Sequence, residues 1–246
     1  MKKFGIINLS QDSFSGDGNL NFKQIQQKMA YFKEKNYYGI DVGAQSTNPH
    51  SKLLEQEAEF SIITGIFPII SAAAKALNLE ISIDTFYPKI AKFAVLHGCK
   101  YINDVSGLKF PEIIDVLREN QGVKYILMHS LCAPARSEIC VPQSENIVEV
   151  ILDFFHKKLE FIGNNGIDIN RVALDPGIGF GKSAEQNWEI LRNIVKFTQL
   201  NLPIYLGISR KSFLSCVSNN MQDRDISTAT ILKMLENTVN FTRIHF

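Results

Sequence analysis

Val172-Ala173-Leu174-Asp175-Pro176-Gly177-Ile178-Gly179-Phe180-Gly181-Lys182-Ser183 is the stretch from which the fold is read. A short apolar run ends on a carboxylate. A proline and three glycines within five residues follow, and then a serine three places before Gln186. That last spacing is a helix-start signature: the hydroxyl accepts from the third helical N–H while the glutamine reaches back to the cap. The segment therefore reads strand, loop, helix, with an acid where the strand ends. The glycines do not make a nucleotide loop. Pro176 stands where a Walker loop needs glycine, and Lys182 stands where a dinucleotide fingerprint needs its third. Glycines do let a backbone approach a ligand closely, and Phe180 has a flat face to cover a ring. An ordinary βα turn ending in the Ser183 cap is the alternative, but it leaves the three glycines unexplained.

Outward from this stretch the same unit recurs. Short apolar runs at residues 3–8, 38–42, 80–84, 101–104, 124–129, 172–175, 203–207 and 241–245 read as eight strands, separated by helical patterns. Alternation of this kind is the signature of a parallel sheet. Asn21 with Gln24 is read as a second capping box, and Pro88 and Pro111 as first-turn prolines. Each run meets a polar side chain at its carboxyl end: Asn8, Asp41, Asp84, Asn103–Asp104, His129, Asp175, Ser209–Arg210 and Arg243–His245. Any one of these is explained as a strand-terminating cap; eight in succession point to one rim. In a (β/α)8 barrel all strand ends share a rim, and catalytic residues collect there. A doubly wound open sheet is the rival, but its dinucleotide fingerprint is missing. The expectation is one barrel domain spanning residues 1–246.

Composition narrows the function classes. The net charge of +1 gives no electrostatic argument for nucleic acid or a membrane surface. No apolar run reaches the roughly 18–20 residues that span a bilayer. The first residues read as a strand and not as a signal peptide. Cys99, Cys132, Cys140 and Cys216 form no CxxC or zinc spacing, and the histidines form no HExxH. Reduced thiols in a cytoplasmic protein are the simplest reading.

The segments then add up to a family. Residues 5–15 (Gly-Ile-Ile-Asn-Leu-Ser-Gln-Asp-Ser-Phe-Ser), Ile40-Asp41-Val42-Gly43 with Ser46-Thr47, Ser82-Ile83-Asp84-Thr85, Ile102-Asn103-Asp104 and Leu127-Met128-His129 come first. Residues 174–182, Gly207-Ile208-Ser209-Arg210-Lys211-Ser212 and Arg243-Ile244-His245 complete the set. In that order and spacing the chain resembles the dihydropteroate synthases, folate-pathway enzymes of the pterin-binding barrel family. The resemblance implies a transferase acting on 6-hydroxymethyl-7,8-dihydropterin diphosphate and p-aminobenzoate, with substitution at the pterin methylene carbon and release of diphosphate. It implies pterin contacts from Asp84, Asn103 and Asp175, with Lys211 on the pterin carbonyl side. A carboxylate accepts from the ring N–H and NH2 donors, and an amide can do either job. Asp84 would also favour positive charge on the methylene, an effect of about 3–4 kcal/mol for a key group; Asp84 and Lys211 are the implied catalytic residues. Arg243 and His245, two apart and so on one face of a strand, would take the diphosphate with Thr47. Asn8 would supply an oxygen to Mg2+, although as a residue it reads equally as a strand cap. Ser209 and Arg210 would lie near the arylamine carboxylate, with a structural ion pair as the other reading of Arg210. Phe180 and Met128 would pack on ring faces, with a core role open for Met128. A homodimer is expected.

The chain departs from the family pattern in two loops and at its end. Ser10-Gln11 replaces Thr-Pro in the first loop, and Gly16-Asp17-Gly18 shifts its second acid by one place. In the second, Gln45 stands for glutamate and Asn48 for an arginine, whose charge and fork an amide cannot replace. The eighth strand runs to the chain end, so the expected barrel lacks its final helix, and the outer apolar side chains of that strand are expected to be exposed. These departures keep two competitors open: a degenerate pterin-binding homologue without turnover, and a pterin-dependent methyltransferase of the same barrel family.

Overall fold

Eight strands alternate with seven α-helices in the computed structural model, which describes residues 1–9, 18–45, 54–132, 139–216 and 220–245. In order these are β1 (Lys2–Asn8), α1 (Gly18–Glu34), β2 (Gly39–Gly43), α2 (Gln56–Ala76), β3 (Glu80–Asp84), α3 (Pro88–Leu96), β4 (Tyr101–Asp104) and α4 (Ile113–Glu119). Then come β5 (Lys124–Met128), α5 (Ile147–Asn164), β6 (Val172–Asp175), α6 (Ala184–Arg192), β7 (Tyr205–Leu206), α7 (Met221–Met234) and β8 (Phe241–Ile244). The strands hydrogen-bond in the order β6-β5-β4-β3-β2-β1-β8-β7, all parallel. A parallel bridge between Leu174 and Ile204, with the Leu174 N–H on the Pro203 carbonyl at 2.8 Å, joins β6 to β7 and closes the barrel. Closure removes every sheet edge and brings the carboxyl ends to one rim.

Period-two alternation separates two cores. Phe4, Tyr101, Ile126, Ala173, Tyr205 and Phe241 form a cluster of their own, with Tyr38 against it. Five of these stand two residues before a rim position: Asn103, Met128, Asp175, Gly207 and Arg243. They are therefore the apolar floor inside the barrel, one layer below the rim. Each buried ring contributes about 1.5–3 kcal/mol, and edge-on pairs such as Phe4–Tyr101, 5.1 Å between centroids, fix the ring orientations. The larger cluster lies between the strands and the surrounding helices. In α2, Ile63, Phe67, Ile70 and Ala74 recur at helical spacing and are fully buried. This helix is long and apolar enough to cross a bilayer by length and composition, but that stripe is spent on the barrel.

Several expectations meet the structure here. Ser183 and Gln186 make a reciprocal capping box, and Pro88 opens α3 at its first turn; Pro111 instead precedes the Glu112 cap of α4 and lies outside its first turn. Asn21 is not a cap: α1 starts at Gly18, so Asn21 lies inside the helix. The outer face of β8 is not bare. Thr242 is fully buried and donates to the Leu206 carbonyl at 2.7 Å, and Ile244 is half-buried. A cleft of about 570 Å³ runs along this face, with Tyr31 and Tyr37 on one wall, Leu232 on the other, and Ser209 and His245 at its rim end. The side chains of these flanking segments shelter the strand, which strand periodicity alone does not reveal.

Candidate active site

On the β2–β4 side the rim is acidic. Asp41, Asp84 and Asn103 sit on three neighbouring strands, with Asp41 paired to Ser82 and Asp84 to Asn103. Arg243 reaches them from β8: one nitrogen, Nη1, donates to Asp41 Oδ2 at 3.1 Å and to Asp84 Oδ2 at 2.5 Å. Gly207 leaves room for this path: a Cβ there would sit 3.3 Å from Arg243 Nε, a tight contact. Asn103 Nδ2 donates to the same Asp41 oxygen at 3.0 Å. Burial works against the charge of Arg243, but Asp84 and Asp41 outweigh it and keep the guanidinium protonated. Burial pushes Asp84 up to about 6, opposed by Arg243 and assisted by Asp41. Alternation sends Asp104 the other way. Its carboxylate is consumed by the Ser106 and Leu108 N–H groups, the Ser106 hydroxyl and Tyr125 Oη. It shapes the turn after β4 and faces away from the rim.

On the β6–β7 side lysines dominate. Asp175 accepts from the Gly177 N–H at 2.8 Å; burial raises its pKa and Lys211 opposes the rise. Gly177 has φ +69°, and a Cβ there would lie 1.9 Å from the His129 carbonyl oxygen, so the loop closes only with glycine. Buried Lys182 donates to three carbonyls, those of His129, Gly177 and Phe180, at 3.2, 2.9 and 2.9 Å. Lys211 donates to the Ile178 carbonyl and lies 4.4 Å from the Phe180 ring centroid. Burial pulls both lysines down to about 7. Asn187 Oδ1 takes the Gly179 N–H at 2.8 Å. The glycine-rich loop is thus pinned from four directions.

Between the two sides, Ser209 Oγ accepts from the His245 backbone N–H at 3.2 Å and lies 3.2 Å from its Nδ1. Burial, then Arg243, Arg210 and Lys211, lower His245 to about 4, so its ring is neutral at pH 7. Arg210, for which two readings stood open, makes a two-pronged pair with Asp225 of α7, at 2.9 Å for each contact. Asn8 ends β1 exposed, opposite Gly43. Met128 and Phe180 are both buried. Thr47 and Asn48, and the first-loop changes at Ser10 and Gln11, lie outside the described residues.

Four residues without an assigned role belong to this constellation: Asp41, Lys182, Gln45 and Glu59. Glu59 is fully buried, accepts from Thr85 Oγ1 and Gln45 Nε2 at 2.7 Å each, and is pushed up to about 7 by burial. Gln45 also bonds the Leu54 N–H and carbonyl, so it ties residue 45 to residue 54 at the base of the second loop. A signal for Glu59 was present: it stands four residues before Ile63, on the buried stripe of α2.

No group of three or more His, Cys, Asp or Glu side chains that could hold a metal occurs among the described residues. A single exposed amide oxygen at Asn8 fits an ion that keeps most of its coordination from water and ligand oxygens, as magnesium does.

The model of the family described as "Pterin binding enzyme" matches residues 4–245. The dihydropteroate synthase of Clostridium beijerinckii is 32% identical over 247 residues, 98% of this chain and 87% of the relative. A structure of the Anaplasma phagocytophilum dihydropteroate synthase with bound 6-hydroxymethylpterin-monophosphate superposes with a TM-score of 0.90 at 32% identity. It covers all of this chain and 93% of the other. The Xanthomonas albilineans enzyme with 4-aminobenzoic acid superposes with a TM-score of 0.85 at 26% identity, covering 99% and 86%. Matched over residues 4–245, with the barrel fold in common, the chain belongs to the pterin-binding enzyme family.

Proposed function

We propose that the chain is a dihydropteroate synthase, joining the methylene carbon of 6-hydroxymethyl-7,8-dihydropterin diphosphate to the amino nitrogen of p-aminobenzoate. The observation that carries the reading is one rim with two kinds of unfinished bonding. Asn103 Oδ1 is a buried acceptor without a partner among the described residues; the cation Arg243 stands beside it on Asp41 and Asp84, and the Lys211 amine stands on the β6–β7 side of the same rim. A pterin offers donors to the first kind, and a diphosphate offers anionic oxygens to the second. Relatives crystallised with 6-hydroxymethylpterin-monophosphate, 4-aminobenzoic acid and 7,8-dihydropteroate support it.

In this reading Asp175 and Asn103 accept from the pterin donors, Lys211 reaches the pterin carbonyl side, and Phe180 covers a ring. As the carbon–oxygen bond to the diphosphate lengthens, Asp84 favours the positive charge that develops on the methylene carbon. The nitrogen lone pair of the arylamine forms the new carbon–nitrogen bond. The carbon–oxygen electron pair leaves with diphosphate, and the surplus amine proton leaves to solvent. Arg243, His245 and Thr47 take the departing diphosphate, and Ser209 lies towards the arylamine carboxylate. Asn8 would hold Mg2+, which when bound neutralises diphosphate charge. The protein is assigned to the cytoplasm, in keeping with the reduced thiols of Cys99 and Cys132, and to a homodimer that light scattering would detect.

The test is diphosphate release and dihydropteroate formation by the purified chain with both substrates and Mg2+. Product that requires both substrates is expected. Tight pterin binding with no release would overturn turnover in favour of a binding homologue, and methyl transfer to a corrinoid partner would overturn the reaction class.

A further inference from the structure

Asp41 is fully enclosed beneath the rim, with 2% of its surface exposed, and its Oδ2 receives both Asn103 Nδ2 and Arg243 Nη1. Asn103 is equally enclosed, at 1%. An amide has two chemically opposite ends, and only its nitrogen end can donate to a carboxylate oxygen. The bond to Asp41 therefore fixes which way the Asn103 amide points. It commits Nδ2 to Asp41 and leaves Oδ1 buried, with no partner among the described residues. A buried acceptor left open is unfavourable, and a ligand donor removes that penalty on binding.

We propose that Asp41 is a positioning residue for the pterin end of the site: it holds the Asn103 amide with its oxygen presented to a ligand N–H. This inference rests on the pterin reading above. Without Asp41 the amide is free to rotate and present its NH2 to a ring donor, where it repels. Asp41 itself needs no contact with the ligand.

The experiment compares Asp41→Ala with Asp41→Asn, using 6-hydroxymethylpterin, which carries no diphosphate, as the probe in titration calorimetry. Asparagine keeps an oxygen that can accept from Asn103; alanine does not. Asp41→Ala should weaken binding about tenfold, the size of one buried hydrogen bond, while Asp41→Asn stays within about twofold of the parent. Equal losses in the two variants would overturn the proposal in favour of a charge effect through Arg243, and unchanged binding in Asp41→Ala would overturn it outright. A second measurement needs no pterin: hydrogen exchange of the Asn103 side-chain amide, assigned by nuclear magnetic resonance. Slow exchange in the parent protein and fast exchange in Asp41→Ala are expected. Fast exchange in the parent already overturns the proposal, even if neither variant folds. If the parent fails to bind the probe while the amide is protected, the pterin reading fails and the positioning bond stands.

Discussion

The two sides of the rim hold buried charge in opposite proportions. On the β2–β4 side one arginine serves two carboxylates, Asp41 and Asp84. On the β6–β7 side two lysines, Lys182 and Lys211, surround one carboxylate, Asp175. The consequence lies in what is left over. The acid side has a spare acceptor held open by Asp41, Asn103 Oδ1. The three hydrogen bonds of Lys182 instead run to main-chain carbonyls, which matches the number of donors on an ammonium. Acceptors without partners are available to a ligand, and a lysine saturated by backbone is a strut. Buried polar groups therefore recognise a ligand on one side, through an open acceptor, and support the loop on the other, through saturated donors.

The comparison breaks most easily at Arg243. Arg243→Met removes the only cation bonded to either Asp41 or Asp84 among the described residues, leaving two buried carboxylates uncompensated. A loss of about 3–5 kcal/mol is expected in denaturant unfolding, together with loss of diphosphate-substrate binding; a loss below about 1 kcal/mol would show that the acids do not depend on it. Lys182→Met should cost less, about 1–3 kcal/mol, because Lys211 still faces Asp175 and burial already holds Lys182 near neutrality, at about 7. Its expected mark is faster amide exchange at Gly177 and Gly179, and unchanged exchange there would remove Lys182 as the strut.

Glu59 sharpens the acid side through pH. Its folded value, about 7, lies above its ordinary 4.5, so the folded chain binds the extra proton between those values. The stability it contributes is complete below about pH 4.5 and is lost as the pH rises through about 7. Glu59→Gln mimics the protonated form, so the urea midpoint of the variant should fall less than that of the parent between pH 4.5 and 7.5. Parallel curves would place the proton elsewhere. Arg210→Ala should have the smallest effect. Arg210 and Asp225 are a partly exposed pair, with side chains 25% and 41% exposed, and such pairs contribute no more than about 1 kcal/mol. The KM for p-aminobenzoate should stay within about twofold, and a tenfold rise would return Arg210 to the substrate.

Much of the barrel was legible because it is written in local patterns. Strand boundaries followed from short apolar runs, and the position of the rim followed from the polar residue ending each run. Asn103 and Asp104 show where that reading stopped. Both end the same strand, yet one faces the rim and the other buries its carboxylate against Tyr125 and the following turn. Period two separates adjacent residues onto opposite faces, but the sequence does not say which face is inside until the strand is paired. Lys182 was legible as part of a motif, not as a strut, because its three partners include a carbonyl 53 residues away.

By itself the sequence determined the eight-strand alternation, the Ser183 helix start, and the family to which the order of its motifs belongs. These depend on residues close together in the chain, where periodicity and capping act. Only the tertiary structure decided that Arg243 belongs to Asp41 and Asp84, 202 and 159 residues away, that Arg210 turns outward to Asp225, and that the shared bond at Asp41 orients Asn103. Those choices follow from barrel closure, which sets β8 beside β1 and brings distant charges together in a space too dry to leave them unpaired.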